Sequence, residues 1–253
     1  MPGRPRKPPA RADRAFEPGS LAQMVFTVPA PLREATLDAI DLLFPVECAG
    51  CGAYRRGLCA ACRQRLRPQP FQSELGDGTP VWAALGYEGT VRRVILSLKE
   101  HGRTDVVRAL AVPLAVAVAA ALDQAPPPAG EITAWNLEIA VPPPGRASFR
   151  RRGYDPLSLL VRAAKLARPV SVLDNLHERA AQKNLDRAHR QSNLAGSMVG
   201  RGPLTGRRFI VIDDVVTTGA TLAEAIRALR GGGGQVVAAA VLAATPRHCL
   251  GVS

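Results

Sequence analysis

Aromatic residues and lysine are scarce in this chain of 253 residues. Phe, Trp and Tyr make up 4% of it, and only four of its 33 basic residues are lysine: Lys7, Lys99, Lys165 and Lys183. Few aromatics leave few platforms on which single-stranded nucleic acid could stack. The formal net charge of +12 is carried mainly by arginine, whose planar fork suits phosphate groups. Composition thus suggests polyanionic partners, although genome base composition alone would give the same excess.

Long apolar runs are also missing. The most apolar run, Ala109–Leu122, has 14 residues and is interrupted by Pro113, whereas a membrane-spanning helix needs roughly 20. We therefore predict a buried helix and no membrane insertion. The first 18 residues contain no apolar core of a secretory signal. We expect a cytoplasmic protein whose residues 1–30 form a disordered basic tail.

The full chain is 47% hydrophobic, and the part after residue 30 divides into two predicted parts. Residues 31–75 are expected to hold a helix and a metal-binding module, and residues 80–253 a single α/β domain. Predicted strands are VWAALGY, LEIAVPPP, RFIVIDD and QVVAAAVLAAT. Predicted helices are GTVRRVILSLKEHG, DVVRALAVPLAVAVAAALDQ, DPLSLLVRAAKLA and TLAEAIRALR. This alternation is typical of βαβ units on a mainly parallel sheet flanked by helices.

Four of the five cysteines follow the pattern C-x2-C-x7-C-x2-C: Cys48, Cys51, Cys59 and Cys62. Each C-x2-C pair can curl into a turn that points two thiolates at a common centre, and four such ligands form a tetrahedral zinc site. Disulfides are disfavoured in a chain without a secretion signal, and redox chemistry needs only one pair. We predict structural Zn²⁺, because four thiolates leave no position open for catalysis.

The segment FIVIDDVVTTGATL places two acids between an apolar strand and a helix. Asp213 and Asp214 are expected at the carboxyl edge of a parallel sheet, where ligands bind in open α/β folds. The following turn offers unpaired N–H groups and the positive end of a helix dipole to an anion. Its residues are Thr217, Thr218, Gly219, Ala220 and Thr221. A ribose 5-phosphate satisfies both groups, with its diol at the acids and its phosphate in the turn.

Other phosphate-binding motifs do not fit this chain. Neither the Walker pattern G-x-x-x-x-G-K-[ST] nor the dinucleotide pattern G-x-G-x-x-G occurs. An ordinary strand-to-helix turn with threonine capping would leave the acid pair unexplained.

The same segment resembles the phosphoribosyl-diphosphate (PRPP) signature of type I phosphoribosyltransferases. Other segments resemble one branch of them, the ComF family of competence-associated proteins: LLFPVECAGC, LGYEGTVRRVILSLKEHGR, VPPPGRASFRRRGYD and the pattern R-x2-Q-x2-L-x4-R-x2-N from Arg179 to Asn193. The resemblance covers about residues 32–244. The chain departs from the family's R-G-[FY]-N-Q pattern, with Asp155 and Pro156 in place of the two amides.

This resemblance implies a type I phosphoribosyltransferase-like fold behind a small four-cysteine module. It implies that Asp213 and Asp214 bind the ribose hydroxyls, that Thr217–Thr221 bind the 5-phosphate and that Mg²⁺ bridges PRPP. It also places the loop after LEIAVPPP near the pyrophosphate. The arginines of that loop would stabilise the leaving group, or else belong to a solvated basic loop: Arg150, Arg151 and Arg152.

Further site residues are also candidates. Lys99 would be a site residue or simply a cation favoured at a helix end. The resemblance implies a mobile flap over the site, formed by Arg179, Gln182, Arg190 and Asn193.

Three functions remain open from the sequence. An enzyme would transfer phosphoribose from PRPP to an acceptor with loss of pyrophosphate, although no residue stands out as a general base. A DNA-uptake factor would bind a nucleotide or single-stranded DNA and contact the uptake machinery, with Tyr54, Phe149 and Tyr154 as stacking candidates. A nucleotide sensor would bind the same ligand without turning it over.

Overall fold

The computed structural model describes residues 47–54, 57–125, 137–176 and 196–245, all within the unit Pro45–Ser253. The basic tail, the helix expected after residue 31, and Cys249 lie outside the described residues. So do the four proposed flap residues, Arg179, Gln182, Arg190 and Asn193.

Five strands form the central sheet in the order β1-β2-β7-β6-β3. They are β1 (Phe71–Glu74), β2 (Pro80–Gly86), β3 (Leu137–Ala140), β6 (Arg208–Val216) and β7 (Gln235–Ala244). β1 is antiparallel to β2, and all other neighbours are parallel. Two short strands, β4 (Leu173–Asn175) and β5 (Met198–Gly200), form a separate antiparallel pair. The predicted mainly parallel sheet is confirmed.

Helices cover both faces of this sheet. They are α1 (Ala60–Arg65), α2 (Gly89–His101), α3 (Val107–Asp123), α4 (Arg146–Arg152), α5 (Pro156–Ala163) and α6 (Ala220–Gly231). One hydrophobic cluster joins α2, α3 and α5 to one face, and a second joins α6, β4 and β5 to the other. β7 lies between them and is buried along nearly its whole length, which explains its continuous run of Val, Ala and Leu.

Helix α3 and the 3₁₀ turn before it are long and apolar enough, by length and composition, to cross a membrane (Thr104–Asp123). Half of that span is buried inside the protein, and α3 packs on β2, β7 and α5. Leu110, Leu114 and Ala117 are fully buried there. This packing is that of a core helix.

Three local elements differ from the sequence prediction. β1 is not among the strands predicted from the sequence, but its residues pair with β2 and extend the sheet by one edge strand. The arginine-rich stretch after β3 was predicted as a loop, yet it forms α4, which ends at Gly153. α5 ends at Ala163, earlier than predicted, because Lys165 adopts a positive φ of 55°. The N–H of Leu166 then bonds back to the carbonyl of Val161, which closes a Schellman-type cap.

Candidate functional site

The acid pair lies on β6 where this strand extends beyond its neighbour β3. Ala140, the last residue of β3, pairs with Val211. β6 continues to Val216, two residues beyond the predicted strand, because β7 pairs with it as far as Ala244. Asp213 and Asp214 therefore lie at the carboxyl edge of the sheet, as the sequence predicted, and no strand in the described part of the chain pairs with them on the β3 side.

Asp214 forms an ion pair with Lys99, a residue of the last turn of α2. The two are joined by a bond of 2.7 Å between Lys99 Nζ and Asp214 Oδ1, and their side chains are 23% and 15% exposed. α2 thus brings the cation to the acid pair from 115 positions away in the chain. Lys99 is therefore not only a cation at a helix end: it contacts an acid of the predicted ribose site.

Asp213 has an unusually high pKa for a carboxyl group. Burial raises its pKa to about 7, and the charges of Asp214 and Asp155 add to the increase. The N–H of Asp214 donates to Asp213 Oδ1 at 2.8 Å, and this bond and the Lys99 charge limit the rise in pKa. Near neutral pH, Asp213 can therefore accept or donate a hydrogen bond to a hydroxyl group.

The predicted phosphate turn leads from β6 into the N-terminus of α6. Gly219 precedes the helix with a φ of +78°, and a Cβ at this position would meet Leu75 Cδ2 at 2.8 Å. Thr217 and Thr218 are exposed, and Thr218 Oγ1 accepts from the N–H of Ala220 at 3.4 Å. The first N–H groups of α6, including those of Ala220 and Thr221, have no intrahelical acceptor. This end of α6 can receive an anion.

Two of the three candidate arginines lie next to the Lys99 end of α2. Arg151 and Arg152, on the last turn of α4, donate to Glu100 at 2.9 and 2.8 Å. Arg150 is exposed on the same turn. Sequence reasoning missed Glu100, because its role depends on contacts more than 50 positions away.

The segment after α4 departs from the family pattern, and the structure assigns its acid a local role. Asp155 caps α5, because its carboxylate accepts from the N–H groups of Leu157 and Ser158. The Tyr154 hydroxyl donates to the carbonyl of Leu98 on α2. The Arg152–Asp155 turn is therefore fixed to both α2 and α5.

Another carboxylate that sequence reasoning missed lies on α6. Glu224 is 4% exposed, accepts from the N–H of Met198 at 2.8 Å and forms an ion pair with Arg227. The Arg227 hydrogen bond, opposed by burial, lowers the pKa of Glu224 to about 2. This group joins α6 to β5 and has a structural role. A buried Glu on an amphipathic helix gave the only sequence signal for it.

The four patterned cysteines come together at one point. Their sulfur atoms all lie within 4.8 Å of one another, and those of Cys51 and Cys59 are 3.8 Å apart. A tetrahedral site with zinc–sulfur bonds of about 2.3 Å has sulfurs about 3.8 Å apart. The N–H groups of Cys59 and Cys62 point at the sulfurs of Cys48 and Cys59, each at 3.4 Å. Four thiolates in this arrangement can hold one metal ion.

Burial and hydrogen bonding act differently on the two buried cysteines. For Cys48 burial opposes ionisation, but N–H groups of Cys59, Cys51 and Gly50 lower the pKa to about 6. Burial and the neighbouring sulfurs raise the pKa of Cys62 instead. A bound cation would favour the thiolate form of both.

The cysteine segment packs against the first half of α2. Arg93 donates from Nε to the carbonyl of Gly50, and Arg103 donates to the carbonyl of Glu47 at 2.9 Å. A Cβ on Gly50 would lie 2.6 Å from Cys62 Sγ and 2.9 Å from Thr90. The turn therefore requires glycine for close approach. Cys48 and Cys62 belong to the same hydrophobic cluster as α2 and α3.

Residues 160–250 match the family model of the phosphoribosyl transferase domain. This segment contains the acid pair and the turn into α6, but not the cysteine cluster, α2 or α4. No curated protein matches the chain.

Two solved structures are similar to this chain over most of its length. One is orotate phosphoribosyltransferase from Aeropyrum pernix: 18% identity, 73% of this chain and 79% of that chain covered, and a TM-score of 0.28. The other is the Mycobacterium tuberculosis H37Rv orotate phosphoribosyltransferase in complex with Fe(III) dicitrate. Its identity is 15%, the coverage 72% and 81%, and the TM-score 0.30. With TM-scores this low, the two structures carry no argument about the fold, which rests on the sheet topology described above.

Proposed function

We propose that this protein binds PRPP or a nucleotide 5-phosphate and transfers phosphoribose with release of pyrophosphate. The observation that carries the proposal is the unit β6–turn–α6. There the acid pair, Asp213 and Asp214, precedes the anion-accepting N-terminus of α6, which begins at Ala220. The match of residues 160–250 to the phosphoribosyl transferase domain supports it.

The ligand's parts fit these groups as follows. Asp213 and Asp214 accept hydrogen bonds from the ribose hydroxyls, and Thr217–Thr221 hold the 5-phosphate. In the transfer, the bond from the anomeric carbon to the pyrophosphate oxygen breaks, and its electron pair leaves with pyrophosphate. A lone pair of the acceptor forms the new bond to that carbon. Mg²⁺ accompanies PRPP and neutralises part of the phosphate charge.

Asp214 can accept a ribose hydroxyl beside its bond to Lys99 or in place of it. Its Oδ1 is bonded to Lys99, and a ligand hydroxyl would share or replace that bond. Lys99 then remains beside the ligand as a cation able to stabilise the leaving phosphate groups. Catalysis would rest on positioning and charge neutralisation rather than on a covalent intermediate.

The test is isothermal titration with Mg-PRPP and with ribose 5-phosphate. We expect both to bind the wild type. The affinity should fall more than about 100-fold in the Asp213→Asn/Asp214→Asn variant, which loses both carboxyl groups proposed to bind the ribose hydroxyls. Asp123→Asn, a change at an exposed acid on α3, is the matched control. Lack of binding by the wild type at millimolar ligand would refute the proposal.

A nucleotide sensor would use the same site without chemistry. Pyrophosphate release from Mg-PRPP, followed in the presence of purine and pyrimidine bases, distinguishes the two. Binding of Mg-PRPP without pyrophosphate release in the presence of any of these bases would favour the sensor.

The second candidate function is binding of single-stranded DNA in DNA uptake, in contact with the uptake machinery. The observation that favours it is Phe149, which is 47% exposed beside the arginines of α4; Tyr54 is 75% exposed. Tyr154 is a poorer candidate, because its hydroxyl is bonded to α2. Fluorescence anisotropy at two salt concentrations tests this. Affinity that falls with salt and is weakened by Phe149→Ala supports it, and weak, salt-independent affinity contradicts it.

We propose further that the cysteine cluster holds structural Zn²⁺ and that the protein works in the cytoplasm. Residues 31–75 would form the zinc module and residues 80–253 the main domain, with the end of the module, Phe71–Glu74, pairing with the central sheet as β1. Four thiols that could serve as metal ligands support a reducing compartment. Metal analysis of purified protein tests the ion: about one zinc per chain is expected.

A further inference from the structure

The end of α2 holds two charged residues that reach different partners. Lys99 bonds Asp214 on β6, while Glu100 bonds Arg151 and Arg152 on α4. Successive residues of a helix point about 100° apart, so they do not face each other. The last turn of α2 therefore contacts both the acid pair and the arginines of α4.

Within the arginine pair, Arg152 is the better placed. Its side chain is 18% exposed, against 64% for Arg151. Glu100 contacts it through a single nitrogen, Nη2, at 2.8 Å. Among the described residues, the buried Nε of Arg152 finds no hydrogen-bond partner. A buried donor left without a partner is rare in folded proteins, and a functional role is one of its explanations.

The backbone around Arg152 is also fixed to α2. The Tyr154 hydroxyl donates to the Leu98 carbonyl, one residue before Lys99. Asp155 lies near enough to Asp213 for its charge to act on that carboxyl. The turn that carries Arg152 thus lies beside the acid pair and is held there by two side chains, Tyr154 and Glu100.

We propose that Glu100 is a positioning residue that orients Arg152 toward the pyrophosphate part of the ligand; this inference rests on the proposed function. Glu100 occupies one donor of the guanidinium and leaves the others for phosphate oxygens. It does not itself touch the ligand. Glu100 is 40% exposed, and ion pairs so exposed contribute little to stability. Its effect is therefore expected in binding rather than in folding.

The test compares three probes by titration: Mg-PRPP, Mg-pyrophosphate and ribose 5-phosphate, which lacks the pyrophosphate. We expect Glu100→Gln to lower the affinity for Mg-PRPP and Mg-pyrophosphate about tenfold, the effect of losing one charge-assisted hydrogen bond. The affinity for ribose 5-phosphate should fall less than about twofold. Arg152→Gln is expected to do the same, and the double variant to be no worse than Arg152→Gln alone. Glu100→Asp, which keeps the charge, should restore part of the affinity.

Glu88→Gln is the matched control, because Glu88 is an exposed carboxylate at the opposite end of α2. Tighter binding of PRPP by Glu100→Gln would overturn the inference, since Glu100 would then be sequestering the arginines. An equal loss of affinity for ribose 5-phosphate and for PRPP would also overturn it, because that result would indicate that the end of α2 has been displaced. If wild-type protein binds ribose 5-phosphate but the variants leave PRPP unchanged, only this inference fails. If the wild type binds neither probe, the proposed function fails with it.

Discussion

Helix α2 has a different kind of site at each end. Near its beginning, Thr90 and Arg93 contact the turn that carries the cysteine cluster. At its end, Lys99 and Glu100 connect the acid pair of β6 with the arginines of α4. The first site takes all four ligands from 15 residues of chain, whereas the second brings together three distant segments.

This difference has a physical consequence. The cysteines of the first site are close in sequence, so local turns suffice to bring their sulfurs within 4.8 Å. The groups of the second site are brought together by the sheet and by helix packing. They are joined by ion pairs, whose strength depends on the neighbouring charges. The first site is therefore expected to respond mainly to loss of a ligand atom, and the second to changes in charge and backbone shape.

The largest effect is expected at the cysteine cluster. Cys48→Ser removes one of four thiolates, and we expect loss of the metal together with much of the stability it supplies. An ion whose free concentration is 1,000 times its Kd adds about 4 kcal/mol to the free energy of unfolding. Metal content and thermal unfolding measure both changes.

The same substitution at Cys249, outside the four-cysteine pattern, is the control. Asp213→Asn/Asp214→Asn protein should keep its metal. A variant of Cys48 that retains one metal per chain would break the contrast between the two ends of α2.

The next effect concerns the backbone of the phosphate turn. Gly219→Ala introduces a Cβ at a positive φ and into contact with Leu75, at an expected cost of about 1–3 kcal/mol. Chemical denaturation measures this, and titration with ribose 5-phosphate should reveal weaker binding as well. Gly76→Ala, where nothing lies within 4 Å of the added atom, should change neither. Equal effects of the two variants would contradict the role given to Gly219.

Asp213 gives a pH-dependent prediction. Because its folded pKa of about 7 exceeds the reference value of 3.8, the folded state retains a proton that the unfolded state has released between about pH 4 and 7. Stability therefore falls as the pH rises through this window. Asp213→Asn should be more stable than wild type above pH 7, by about 1–2 kcal/mol or a few degrees in Tm.

The gain should approach zero only below the reference pKa of 3.8, where the wild-type carboxyl becomes protonated in the unfolded state as well. Differential scanning calorimetry at a series of pH values is the measurement. A constant difference at every pH would mean that Asp213 does not titrate as described.

The smallest effect is expected at the bond that joins the cysteine turn to the first half of α2. Arg93→Ala removes the bond to the Gly50 carbonyl and should cost about 0.5–1.5 kcal/mol, with metal content and ligand affinity nearly unchanged. Arg92→Ala, at an exposed neighbouring position, is the control. A loss of ligand affinity in Arg93→Ala would show that the two ends of α2 are coupled, which would contradict their description as separate sites.

Much of this architecture could be predicted from the chain alone. The alternation of apolar runs predicted β2, β3, β6, β7 and the helices α2, α3, α5 and α6, since each run has the period and length of its element. β1 and α4 were missed. FQSE is too polar and short to stand out as a strand, and its pairing depends on the free edge of β2. A run of arginines predicts a solvated loop unless an acid such as Glu100 faces it.

The sequence by itself determined the features that depend on near neighbours: four thiols at metal-binding spacing, an acid pair beside a glycine-containing turn, and apolar runs that can be buried. Only the tertiary structure decided which charges meet. Lys99 reaches Asp214 and Glu100 reaches Arg152 because α2 ends at the open edge of β6. Electrostatic pairing acts through space, and the burial that raises the pKa of Asp213 arises only once distant segments have packed together.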